Sequence, residues 1–174
     1  MDAPTDFIIP IIGLKLGEHK YQFKVDGTFF KEFDHPELQE GALQVNLILT
    51  KRSNLMELQF QVNGAIDSLC DRCGGDLNLP LTHQETVIVK FTQEEFENTD
   101  DVIIIGHEDH EIDVSHMIYE LIALALPFRK SHEDYEGQAC DDEVLEKFEQ
   151  YENENKKDVD DRWSALKDLL TDKE

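Results

Sequence analysis

Apolar and polar residues alternate with period two through long stretches of this chain. Leu43, Val45, Leu47 and Leu49 fall on one face of residues 42–53. Met56, Leu58, Phe60 and Val62 fall on one face of residues 54–70. Such alternation marks strands with one face buried, and Ser53-Asn54 between the two runs suits a tight hairpin turn. The same period predicts a strand over 17–26, with Tyr21, Phe23 and Val25 inward. It predicts another over 76–91, with Leu77, Leu79 and Leu81, then Val87, Val89 and Phe91. Residues 5–12 predict a short strand that Pro10 interrupts, hence an edge. Residues 101–114, "DVIIIGHEDHEIDV", predict a further hairpin with "GHEDH" at its tip. Asp26-Gly27 is a turn signal, and a short helical turn over 28–35 would place Phe29, Phe30 and Phe33 on one side. Gly64 is expected to mark a bulge or bend.

The period then changes. Residues 113–127, "DVSHMIYELIALALP", predict a helix capped by Asp113 and stopped by Pro127. It is apolar nearly all round, so it is expected to be buried. Further on, Val144, Phe148 and Tyr151 form a thin helical stripe, and Trp163, Leu166 and Leu170 form one face of a final amphipathic helix. Strands first and helices last give an α+β fold: a mainly antiparallel β-sheet or partial barrel with C-terminal helices. The expected division is a β-rich core over 1–130 and an acidic segment with an amphipathic helix over 131–174.

Charge narrows the partners. The formal net charge is -23, and residues 133–161 hold thirteen acids against three lysines. Phosphate backbones and anionic membrane surfaces repel such a chain, so DNA and membranes are not expected partners. Lys51-Arg52 and Arg129-Lys130 are only pairs, so the sequence presents no basic patch for RNA. The acidity favours a basic partner, or serves solubility alone. No apolar run approaches the ~20 residues needed to cross a bilayer. The N-terminal stretch lacks the basic flank and apolar core of a secretion signal, and a cytoplasmic location is expected.

The candidate chemistry sits in "SLCDRCGGDLNLPLT", residues 68–82. Three cysteines, Cys70, Cys73 and Cys140, are too few and too odd for a disulfide framework. A CxxC turn points two sulfurs to one side, and Gly74-Gly75 let backbone amides face them. Zinc wants about four nitrogen or sulfur ligands. Cys140 is the one remaining thiol, and His132 lies shortly before it in "FRKSHEDYEGQAC". That loop would return beside the CxxC turn to close a Cys3His zinc site. His83, His107, His110 and His116 compete as donors, though each reads better as a surface residue, His107 and His110 as solvated residues of the hairpin tip. A redox dithiol is the weaker reading, because a strand rather than a helix follows the motif. Inert thiols are the third. No phosphate loop or nucleophile elbow is present.

The order of these motifs resembles the YceD-like family, the large ribosomal RNA subunit accumulation proteins. The resemblance rests on Cys70-x-Arg72-Cys73, on Ile112-Asp113-Val114 with Glu120 and Leu124-Ala125-Leu126-Pro127, and on Asp160, Arg162, Trp163, Leu166 and Leu169. It spans roughly residues 10–170. Asp161 stands where the family usually has proline. Many members carry a cysteine cluster after the "LALP" helix, and here His132 would replace one of those cysteines. The resemblance implies a non-enzymatic role in accumulating large-subunit ribosomal RNA, through a basic ribosomal protein or the RNA assembly intermediate itself. The acidic segment would then meet the basic protein. Arg72 would hydrogen-bond a partner's carboxylate or phosphate, or form a surface ion pair. Trp163 would anchor the last helix to the core, or to the partner.

Overall fold

The computed structural model describes residues 7–33, 35–92, 102–106 and 109–154. Its elements in chain order are β1 (Ile8–Pro10), β2 (Gly17–Asp26), α1 (Gly27–Phe30), β3 (Gly41–Lys51), β4 (Leu55–Leu69), β5 (Asp76–Thr92), β6 (Val102–Gly106), β7 (Glu111–Asp113), α2 (Ser115–Leu124) and α3 (Asp142–Glu154). A single 3-10 turn spans His132–Asp134. The main sheet has the order β2-β3-β4-β5-β6, and β1 and β7 form a second, two-stranded sheet. The fold is α+β, and the sheet does not close into a barrel.

Four long strands run antiparallel in continuous register. Lys51 faces Met56 across the first central hairpin, and Arg52 donates its N–H to the Leu55 carbonyl at 2.9 Å, which leaves Ser53-Asn54 as the two-residue turn. Alternation then sorts the side chains. Phe23, Val25, Leu43, Val45, Leu47, Leu49, Met56, Leu58, Phe60 and Val62 are all buried on one face. The shelf they make is covered by Phe29 and Phe30 of α1, Ile9 and Ile112 of the small sheet, and Met117, Ile118, Leu121 and Ile122 of α2. Asp26 caps α1, its carboxylate accepting the N–H groups of Thr28 and Phe29. The helical turn is short, but Phe29, Phe30 and the half-buried Phe33 do share the expected side, in a chain of ring contacts that ends with Phe33 stacked on Tyr119 of α2.

Four expectations need correction. The 101–114 segment is not a hairpin. Strand β6 lies parallel to β5, while β7 pairs antiparallel with β1, Ile112 opposite Ile9. Both isoleucines are buried against α2, and alternation alone does not say which neighbour a strand takes. Nor is α2 buried all round. Its Met117/Ile118/Leu121/Ile122 stripe is covered, but His116 and Glu120 are exposed and Leu124 is 77% exposed. Only one side of the helix has a sheet to lie on. Asp113 does accept a backbone N–H, from Ser115 at 2.8 Å, but Val114 occupies the cap position. Finally, Gly64 marks no bulge, because pairing is in step on both sides of it. It is needed for its backbone instead, at φ +151 with the β3 main chain pressed against it.

Helix α3 forms within the acidic segment. Its Phe148 and Tyr151 are exposed, so its stripe is not sunk into the described core. Trp163 and the predicted final helix lie outside the described residues. Among the described residues no helix is long and apolar enough to cross a membrane.

Candidate metal centre

The CxxC motif is the connection between β4 and β5. Cys70 follows the last residue of β4, and the turn closes on itself: Cys70 N–H donates to the Gly75 carbonyl at 2.9 Å, and Gly74 N–H to the Cys70 carbonyl at 2.8 Å. Gly74 sits at φ +70, a conformation that glycine adopts without a Cβ penalty. The turn brings both sulfurs to one side, and it aims N–H groups at them. Those of Arg72, Cys73 and His132 face the Cys70 sulfur, and those of Asp141 and Gly75 face Cys73.

The chain returns to this turn after α2. Asp71 N–H donates to the Lys130 carbonyl at 2.7 Å, and Lys130 N–H donates back to the Asp71 carboxylate at 2.7 Å. Further along, the Gln138 side chain pairs with both backbone groups of Asn78. It accepts the N–H at 3.1 Å and donates to the carbonyl at 2.8 Å. These two clamps hold residues 130–138 against the start of β5. Cys70, Leu77 and Leu79 pack beneath, with Leu126 and Tyr135 at the side.

Four donor atoms meet inside this loop. The Sγ atoms of Cys70, Cys73 and Cys140 and a ring nitrogen of His132 all lie within 4.8 Å of one another. Among the described residues it is the one such cluster of histidine, cysteine and acidic donors. Cys70 and Cys140 sulfurs are 3.8 Å apart, and Cys73 Sγ is 3.3 Å from His132 Nδ1. A tetrahedron with Zn–S of about 2.3 Å and Zn–N of about 2.0 Å has edges of about 3.8 Å between sulfurs and about 3.5 Å between sulfur and nitrogen. These two separations match those edges within a few tenths of an ångström. The histidine is also set up as a ligand. Its Nε2 lies 2.8 Å from the Asp76 carbonyl, which can only accept, so Nε2 carries the proton and Nδ1 keeps its lone pair for the other donors.

The surroundings divide the thiols. Burial pushes the Cys70 thiol up, but the N–H groups of Cys73, His132 and Arg72 more than offset this and hold it at about 6. The Asp141 and Gly75 amides likewise lower Cys73. Cys140 goes the other way, pushed up to about 11 by burial and then by the two neighbouring sulfurs. His132 is raised, first by its bond to the Asp76 carbonyl. Cys70 is thus prepared as a thiolate and Cys73 is shifted the same way, while the Cys140 thiol keeps its proton unless a cation joins it.

The competing histidines go elsewhere. His116 is exposed and pairs with Glu120 at 3.1 Å. His110 is exposed, and His107 lies outside the described residues. His83 faces Glu85 at 3.9 Å, too far for a hydrogen bond. Arg72 forms an ion pair with Glu133 of the returning loop, and Arg129 approaches the same carboxylate at 3.9 Å. Trp163, the other residue expected at a partner surface, is not among the described residues. The sequence did not single out Asp71, Asp76 or Gln138, which position the site. Two of them act through backbone carbonyl or amide partners, which leave no signature in side-chain spacing.

A family model described as large ribosomal RNA subunit accumulation protein YceD matches residues 58–170. The matched stretch begins within β4 and contains all four donors. No curated protein and no solved structure matches the chain.

Proposed function

The chain belongs to the large ribosomal RNA subunit accumulation protein family, and from that premise we propose that it is a non-enzymatic assembly factor for the large ribosomal subunit. The family match carries this reading. The site chemistry supports it: three cysteines and one histidine make four protein donors, so a tetrahedral zinc ion held by them keeps no open position for water or substrate. In this reading Cys70, Cys73, His132 and Cys140 hold zinc as a structural cross-link. Bound zinc supplies a fixed positive centre that ties the loop after α2 to the β4–β5 turn. An enzyme would need a vacant coordination position and a general base beside it.

The partner in this reading is a basic ribosomal protein, and the surface that supports it is α3. This helix carries Asp142, Glu143, Glu146 and Glu149, with Phe148 at 54% and Tyr151 at 66% exposure among them. Acids attract and steer a basic chain, and exposed aromatics give it apolar anchors. Purified large-subunit ribosomal proteins titrated against the full chain should include one that binds at low salt and is released as salt rises. Phe148→Ala with Tyr151→Ala should weaken that complex by about tenfold or more. If the doubly substituted chain binds as tightly as the wild type, α3 is not the docking surface. If the wild-type chain neither binds a ribosomal protein nor sediments with large-subunit precursors, the assembly reading is wrong.

A further inference from the structure

Helix α3 carries the apolar residues Val144, Leu145, Phe148 and Tyr151, whose spacing sets them along one side. Phe148 and Tyr151 are exposed, and Val144 and Leu145 are half-exposed. A helix with such a stripe lays it against another surface, and among the described residues nothing covers this one. The start of α3 is well fixed. Asp141 accepts the Glu143 N–H on its carboxylate at 2.9 Å and the Leu145 N–H on its carbonyl at 3.1 Å. The Asp141 N–H itself faces the Cys73 sulfur, and Cys140 just before it is one of the four donors. The metal centre therefore sets where the stripe begins.

The sequence holds a matching stripe. Helix α3 ends at Glu154, and residues 155–159 connect it to "DDRWSALKDLL", residues 160–170, which the sequence predicts as an amphipathic helix. Along α3 the steps are four and then three: Val144, Phe148, Tyr151. Along the second segment they are three and then four: Trp163, Leu166, Leu170. Antiparallel helices read each other backwards, so these two patterns are the same pattern. Tyr151 then meets Trp163, Phe148 meets Leu166 and Val144 meets Leu170, with Leu145 beside Leu169. Four residues rise about 6 Å on either helix, so a single register seats every apolar residue of α3. The connection also has the length of an antiparallel helix hairpin, about 2–5 residues.

We propose that residues 160–170 dock antiparallel on the α3 stripe, Trp163 on Tyr151 and Leu166 on Phe148, and that this hairpin gates α3 against its partner. The docking stands on exposure and spacing; the gating rests on the reading of α3 as the surface for a basic ribosomal protein. The occupant is the chain's own segment because it is tethered. A linker this short holds it at an effective concentration of about 1 mM, so a contact of only about 0.1 mM affinity keeps the hairpin about nine-tenths closed. A partner that needs the open tenth binds about tenfold more weakly than it would to bare α3. The other exposed apolar pair near the metal loop, Leu124 and Phe128, offers no such match, since α2 ends at Leu124 and Pro127 stands between them.

Trp163 is the one tryptophan of the chain, so its fluorescence reports this segment alone. The test is acrylamide quenching of the full chain without partner, with the urea-unfolded chain as the reference for an accessible indole. Trp163 of the wild type should be shielded relative to that reference. Phe148→Ala with Tyr151→Ala should bring it close to the reference, while Leu124→Ala with Phe128→Ala leaves the wild-type value. Hydrogen exchange in the β3–β4 core checks that both variants are folded. The docking is overturned if wild-type Trp163 is as accessible as in the unfolded chain. It is overturned too if the α3 variant leaves Trp163 shielded, or if the Leu124 and Phe128 variant exposes it instead. For the gate, Trp163→Ala with Leu166→Ala should bind the basic ribosomal protein about tenfold more tightly than the wild type. Unchanged or weaker binding by that variant removes the gate. A wild-type chain that binds no ribosomal protein while α3 shields Trp163 counts against the assembly reading and supports the docking.

Discussion

Cys70→Ser is expected to abolish zinc binding and release the loop after α2 while leaving the sheet folded. Cys70 is 2% exposed and anchors the small cluster with Leu77 and Leu79. Its sulfur is prepared as a thiolate by three backbone N–H groups, and a serine hydroxyl at the same place does not ionise. Losing an orienting partner of a metal ligand already costs about 10–100-fold in affinity, and losing the ligand itself should cost more. Where free zinc stands about a thousandfold above its dissociation constant, binding adds about 4 kcal/mol to stability. For a chain of this size that is a melting shift on the order of 10 °C. Hydrogen exchange should show the loss locally: residues 130–138 become unprotected, and the β3–β4 core keeps its protection. Zinc uptake by metal-free protein at pH 7.5 should also expel the Cys140 proton, since that thiol is pushed up to about 11. Affinity therefore falls as pH drops and protons compete for the sulfurs. Equal exchange in the two proteins would show that the loop holds without the metal.

Gly64→Ala should be the most damaging single methyl addition to the sheet. A Cβ at Gly64 would lie 2.2 Å from the Ala42 carbonyl oxygen and 2.7 Å from Leu43 Cα, both main-chain atoms of β3. A side-chain neighbour could rotate away, but these atoms are held by the β3–β4 ladder. The backbone at φ +151 is itself a region that L-residues avoid, at about 1–3 kcal/mol. Clash and conformation together predict a loss of about 3–5 kcal/mol. Gly74→Ala is the contrast: its φ is also positive, but nothing lies within 4 Å of the added methyl. It should cost only about 1 kcal/mol. Urea denaturation of the two variants gives both numbers, and similar midpoints would remove the close-approach argument.

The strands of the main sheet were legible because each buries one face, so every second residue from Leu43 to Leu49 and from Met56 to Val62 reports the core directly. Ser53-Asn54 then fixed the register of that hairpin. Pairing between more distant segments had no such marker. The isoleucines of β6 and β7 alternate well enough, but nothing in them says that β7 joins β1 rather than β6. Apolar content likewise overstated the burial of α2, since Leu124 is apolar with no neighbour to cover it. The donor set was named because Cys140 is the one other thiol and His132 stands close to it in the chain. What seats His132 at the turn is the pair of clamps, Asp71–Lys130 and Gln138–Asn78, in which side chains bond backbone groups, contacts that no composition rule announces.

The most direct measurement is metal content by native mass spectrometry on untagged protein, wild type beside Cys73→Ser, His132→Ala and Cys140→Ser. The zinc cross-link predicts one zinc per wild-type chain and none in any of the three variants. A metal-free wild-type chain with three freely titratable thiols would contradict it.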